Sequence, residues 1–249
     1  MAVTGGNDSR VLFLSSLDED CQYFVARHRN MSATHYDITV PQKLTKMYGR
    51  PFEVIPDKDI YEDVTDSIDF PRNIPATGKD FEGFVYLNGN ISEIARNFYG
   101  FRKKLSPEDL TFISGYHGLK FVTDKYRNWL ENAALFRTNR YDVLDMYYWE
   151  ERMGIMGAKE KTTMSALGKE VFSPFCSRDL LVLLLSTPHK DRDYYNNKLY
   201  HAIFSELSPD VLKIPINPCL KLNIIRLMAK CNVYDTYRNL GLKYRFLKY

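Results

Sequence analysis

Two rhythms of apolar and polar residues run through this chain. It opens on a short apolar stretch, Met1-Ala2-Val3, which breaks into Thr4-Gly5-Gly6-Asn7-Asp8-Ser9. Val11, Leu12, Phe13, Leu14 and Leu17 follow at helical spacing, so the pattern predicts strand, loop, helix. Gln22 to Ala26 reads as a second strand. Asp37 to Tyr48 reads as a helix with Ile38, Val40, Leu44 and Met47 on one face, Pro41 in its first turn and Gly49 as its stop. Pro51 to Ile55 reads as a third strand closed by Pro56. Residues 57–82 are rich in charge and poor in aliphatics, which suits a loop with a short acidic helix. Phe84 to Leu87 reads as a buried strand, and from Pro107 onward helical spacing dominates. The expected fold class is α/β, a parallel sheet with flanking helices followed by a helical C-terminal region.

Composition bounds this picture without changing it. A chain of 249 residues is long enough for one such domain, and 45% hydrophobic with 26% charged residues is ordinary for a globular protein. The longest strongly apolar run, Leu180 to Leu185, is too short to span a bilayer. No basic stretch followed by an apolar core opens the chain, so no secretory signal is visible. Cys21, Cys176, Cys219 and Cys231 are scattered, which fits a reducing compartment, and the expected location is cytoplasmic with no membrane partner. A net charge of +3 argues for no particular partner. No repeat or low-complexity tract interrupts the sequence.

Candidate chemistry sits in two turns. Between Thr4 and Ser9 a strand runs through two glycines into a helix. Glycines let backbone come close to an anion, and the amides at a helix start aim positive partial charge at it. Asp8 belongs in such a cradle if a cation, most simply Mg2+, bridges it to phosphate oxygens. The alternative is an ordinary Gly-Gly turn with Asp8 or Ser9 as helix N-cap. The second turn, Asn88-Gly89-Asn90-Ile91-Ser92-Glu93, repeats the plan with an acid in the following helical turn. Its alternative is that Glu93 merely favours the helix dipole. In a parallel sheet both turns fall beyond the carboxyl ends of strands, where ligands bind, so Asp8 and Glu93 are expected on one rim. Asp37 reads as a helix N-cap, with orientation of a nearby loop as the alternative.

Thr4 to Ser9 resembles the Ser-Gly-Gly-x-Asp-Ser signature of the N-type ATP pyrophosphatases, the PP-loop enzymes, which cut ATP between its α and β phosphates. The second turn is similar to the Ser-Gly-x-Gly-x-Asp-Glu-x-x-x-x-Tyr stretch of asparagine synthetases. Gly89 falls on the first glycine, Glu93 on the magnesium acid and Tyr99 on the aromatic, while Ile91 and Ile94 replace the second glycine and second acid. Trp149 to Gly154, Pro174 to Leu181, Ser186-Thr187-Pro188 and the stretch from Lys198 to Leu207 follow in the family's order, so the resemblance covers most of residues 1–218.

The resemblance implies an ATP-dependent, amide-forming ligase. A small-molecule carboxylate attacks the α-phosphate, an acyl-adenylate forms, pyrophosphate leaves with Mg2+, and an amine or ammonia yields the amide and AMP. It implies nucleotide contacts from Thr4, Gly5, Gly6, Asn7, Asp8, Ser9 and Gly89, metal contacts from Asp8 and Glu93, and catalytic roles for Arg152 and Lys213. Arg152 and Arg178 have helix-surface ion pairing as an alternative, and Lys213, in Val211 to Ile216, has a solvated surface position as its alternative. Ala2 stands where glutaminase-bearing members have a catalytic Cys, so the expected nitrogen source is a substrate, free ammonia or a separate polypeptide. Only three residues precede the loop, so a fragment, or a natural split whose partner chain supplies sheet edge, is expected.

Residues 219–249 form a separate basic, aromatic tail in this reading, with Lys221, Arg226, Lys230, Arg238, Lys243, Arg245 and Lys248 against Asp235. Basic residues interleaved with aromatics can grip nucleic acid, whereas Leu220, Leu222, Ile224, Ile225 and Leu227 suit an amphipathic docking helix. Two further readings therefore stay open: a tRNA-modifying pyrophosphatase, and a non-catalytic nucleotide-binding or interaction protein on the same fold.

Overall fold

The computed structural model describes residues 1–27, 31–56, 83–96, 98–99, 105–116, 118–135, 141–166, 168–192, 197–231, 233–234 and 236–237. The expectations for residues 57–82, and for Asp235, Arg238, Lys243, Arg245 and Lys248, lie outside these.

The fold is α/β with helices dominant and short parallel strands. Strand β1 (Tyr23–Ala26) pairs in parallel with β2 (Phe52–Ile55), Tyr23 opposite Phe52 and Ala26 opposite Ile55. Strand β3 (Val85–Leu87) pairs in parallel with β4 (Glu170–Phe172), Val85 opposite Glu170. Met1 to Val3 do not make the full strand that the sequence suggests. They form a single parallel bridge, Ala2 to Phe24, because helix α1 (Asn7–Ser15) begins four residues later. Two hydrogen bonds fix it: the Val3 amide donates to the Phe24 carbonyl at 2.8 Å and the Phe24 amide to the Met1 carbonyl at 3.1 Å.

All four residues of β1 are buried, as expected of a strand covered on both faces. β3 departs from the buried strand of the sequence reading, for Phe84 and Val85 are 46% and 47% exposed. Strand β4 was not visible in the sequence, where its three residues are lost among helical signals.

Helix α2 (Tyr36–Met47) begins one residue earlier than expected, with His35 as N-cap accepting from the Asp37 amide. Pro41 therefore lies inside the helix rather than in its first turn. Ile38, Val40 and Leu44 are buried, but Met47 is 42% exposed, since the helix ends there. Gly49 adopts φ +65° and stops it.

The helical half comprises α3 (Pro107–Ile113), α4 (Lys120–Leu135), α5 (Val143–Tyr147), α6 (Gly154–Ala166), α7 (Arg178–Ser186) and α8 (Lys198–Leu207). A π-helical turn, Tyr148–Met153, joins α5 to α6. Such turns add a residue to the ladder and re-aim side chains; here Tyr147, Tyr148 and Met153 all end up buried.

One apolar cluster runs from Met1 and Val3 through Phe13, Leu44, Ile94, Leu110 and Leu144 to Phe204, Val211 and Ile214. Two arginines are buried within it. Arg10 donates to the carbonyls of Val211, Ile214 and Pro215, which ties α1 to the turn after α8. Arg192 pairs with Asp145 at 2.8 Å and donates to the carbonyls of Ile94 and Thr187. Helix α9 (Leu220–Lys230) has no buried residue, and Leu220, Ile224 and Leu227 are exposed along one side. Among the described residues no helix is long and apolar enough to cross a membrane.

Candidate functional site

The Thr4–Ser9 loop is closed by its own hydroxyls, by the distant Asp37 side chain and by the backbone of Asn217. The Thr4 amide donates to Ser9 Oγ at 2.9 Å, and the two hydroxyls lie 3.1 Å apart. The Gly5 amide donates to Asp37 Oδ1 at 2.8 Å, and the Gly5 carbonyl accepts from the Asn217 amide at 2.9 Å. A Cβ on Gly5 would come within 3.0 Å of the Tyr36 ring and 3.1 Å of Asn217 Oδ1, so a side chain has no room there. Asp37 therefore orients the loop, and His35, not Asp37, caps α2.

Gly6 is the N-cap of α1, and no side chain caps that end. Asp8 and Ser9 are inside the first turn and not at the cap, contrary to the simplest alternative. The helix start thus keeps its positive end available to a ligand. Asn7 is buried behind it.

The second turn packs directly on the first. A Cβ on Gly89 would lie 2.8 Å from Asp8 Cβ and 3.1 Å from the Asp8 carbonyl carbon. Only a glycine permits that approach. Two residues on, Ile91 has φ +77° and is buried. This left-handed backbone is costly for a β-branched residue and marks stored strain. The turn is held from outside by α6 and by β4's exit. Glu160 accepts from Asn88 Nδ2 at 3.2 Å and Asn90 Nδ2 at 2.6 Å, and Ser173 Oγ donates to the Asn90 carbonyl at 2.7 Å.

Asp8 and Glu93 meet across this junction with Arg96 between them. Arg96 Nη2 lies 2.9 Å from Asp8 Oδ2 and 3.7 Å from Glu93 Oε1. The Tyr200 hydroxyl lies 2.7 Å from Asp8 Oδ1 and 2.9 Å from the Ser92 carbonyl. Burial pushes the Glu93 carboxyl above its ordinary value, the Asp8 charge adds to this, and Arg96 opposes it. Burial also raises the Tyr148 hydroxyl, and the nearby Glu93 charge raises it further. Glu93 Oε2 is buried without a close hydrogen-bond donor among the described residues, although the Tyr148 hydroxyl is near enough to the carboxyl to oppose part of the upward shift.

A cleft of about 230 Å³ opens above the junction, lined by Thr4, Asp8, Ser9, Asp37, Asn88, Gly89, Asn90 and Glu93 together with Ala2, Val25, Ala26, Met31 and Tyr86. Gly5, Gly6 and Asn7 are not among the residues that line it. Arg152 is not in the lining: its guanidinium stacks on Phe98 at 5.1 Å and donates to the Tyr99 hydroxyl at 3.2 Å. Lys213 is exposed and pairs with Asp210 at 2.6 Å, which raises its pKa, so it is not brought to the cleft. Among the described residues no group of three or more His, Cys, Asp or Glu side chains is disposed to hold a metal ion. Two carboxylates still suit Mg2+, which takes one or two protein acids and completes its shell with phosphate and water. The unpartnered Glu93 oxygen and the close Gly89–Asp8 contact fit such an ion.

Arg96, Tyr200, Glu160 and Ser173 were not visible as site residues in the sequence. Arg96 had a local signal, standing three positions after Glu93 where helical residues face each other. Tyr200 lies 192 residues from Asp8 and has none. No protein-family model matches this chain, and no curated protein matches it.

Proposed function

We propose that the cleft binds ATP with Mg2+ and that the chain is an asparagine synthetase-like, AMP- and pyrophosphate-forming ligase. The observation that carries this reading is the packing of Gly89 against Asp8, since it joins the turn into α1 and the turn after β3 at one acidic junction. The start of α1 would offer its positive end to phosphate, with Thr4 and Ser9 as hydroxyl donors, while the Thr4 and Gly5 amides stay engaged with Ser9 and Asp37. Asp8 and Glu93 would hold the ion, which neutralises charge on the departing pyrophosphate when bound. Asp37 keeps the loop in place, and Glu160 keeps the Asn88–Asn90 turn in place. The small-molecule carboxylate supplies the nucleophile, so no covalent protein intermediate is needed. The amine or ammonia that completes the amide comes from a second substrate or a separate polypeptide.

ATP–pyrophosphate exchange with a panel of carboxylic acids tests the proposal. Label should enter ATP with one acid class and fall at least about a hundredfold in Asp8→Asn. No exchange with any acid, despite magnesium-dependent ATP binding by calorimetry, supports the second reading, a nucleotide-binding protein without turnover. Two observations favour that second reading: Arg96 stands between the acids, and Lys213 is exposed and pairs with Asp210.

A further inference from the structure

We propose that Arg96 is the resident counter-cation of the Asp8–Glu93 pair, and that a divalent ion must compete with its guanidinium for both acids. This rests on the acid pair of the nucleotide reading, but on neither catalysis nor ATP.

Two carboxylates sharing a partly buried junction repel each other. Arg96 answers that repulsion with a single nitrogen that reaches both, at 2.9 Å and 3.7 Å. Its side chain is 13% exposed, and each acid is 21% exposed, so the interaction is only partly screened by solvent. Among the described residues one positive charge faces these two negative ones. Tyr200 adds a neutral donor to Asp8, and the Tyr148 hydroxyl is the neutral neighbour of Glu93, though no close hydrogen bond among the described residues reaches Glu93 Oε2. The pair is half neutralised: enough to be held together without an ion, with one oxygen unspent. A divalent cation brings the missing charge but needs the lone pairs that Arg96 now faces. Arg96 and Glu93 lie on one short 3-10 turn, Ser92–Arg96, so the two cannot separate without that turn or the Arg96 side chain moving.

Mn2+ is the probe, because it accepts the same oxygen ligands as Mg2+ and is read directly by electron paramagnetic resonance. It is titrated into the full chain without nucleotide. Arg96→Gln should bind Mn2+ about tenfold more tightly than the native protein. Arg96→Lys, which keeps the charge, should stay close to native. The double variant Arg96→Gln with Glu93→Gln should lose the gain. A folded Arg96→Gln that binds no more tightly than native overturns the proposal. If Arg96→Gln does not fold, the native protein decides. The Arg96 Nε–H resonance should move as Mg2+ is raised to saturation, and an unmoved resonance at saturation overturns the proposal. Calorimetry with ATP on the same samples keeps the two readings apart. Absent ATP binding removes the nucleotide reading and leaves the Mn2+ result standing.

Discussion

Single atoms decide the geometry of the cleft. Gly89 has no side chain, and a methyl there would press on Asp8 at 2.8 Å. Gly89→Ala should therefore destabilise by about 1–3 kcal/mol through overpacking and weaken ATP binding at least tenfold. Thermal melts and calorimetry check both. Ile91 makes the opposite case. It keeps a left-handed backbone, φ +77°, that a glycine would adopt freely. Ile91→Gly should be at least as stable as Ile91→Ala, reversing the usual order, because relief of about 1 kcal/mol of backbone strain offsets the lost methyl. Denaturant midpoints of the two variants settle it. Glu93 adds a pH signature. Its folded pKa is raised, so the folded protein holds a proton that the unfolded chain has released above about 4.5, and stability falls as pH rises from there through the raised value. Glu93→Gln should remove that part of the slope, so its advantage over the native chain grows toward neutral pH. Melting temperatures of both proteins across that range test this.

Helices and strands were legible in proportion to how much of their burial is local. β1, β2 and α2 are read from the sequence because their own residues carry the period, whereas the register of β1 on β2, with Phe24 opposite Glu53, is set by the pairing itself. The α1 loop is read from six consecutive residues. The rest of the cleft is not local. Glu160 comes from α6, Ser173 from the end of β4 and Tyr200 from α8, and each acts through one polar atom that leaves no periodic trace. The exposed edge of β3 was equally illegible, since Phe84 to Leu87 is apolar whether or not a neighbour covers it. α2 and α9 show how far an apolar face alone misleads. Leu44 is fully buried and Leu227 is 63% exposed, although both sit in amphipathic helices. Leu44→Ala should cost about 2–5 kcal/mol and Leu227→Ala within about 0.5 kcal/mol in chemical denaturation.

Across the whole molecule, buried arginines join segments that the chain separates. Arg192 and Asp145 are 2% and 3% exposed, and the pair links α5 to the carbonyls of Ile94 and Thr187. Arg192→Met should cost about 3–5 kcal/mol, because Asp145 would keep its charge without a partner, and Asp145→Asn added to it should recover part of the loss. A double-mutant cycle by chemical denaturation measures this. Arg10 does the same at the other end of the core, where it holds the carbonyls of Val211, Ile214 and Pro215, while the Asn217 amide holds Gly5. The consequence concerns timing. On the ribosome Arg10 and the Gly5 carbonyl lack these partners until residues 211–217 have emerged, so α1 stays untied from the C-terminal half through most of synthesis. Stalled chains that stop before Pro209 should therefore leave the Arg10 guanidinium open to hydrogen exchange, and chains released beyond Asn217 should protect it.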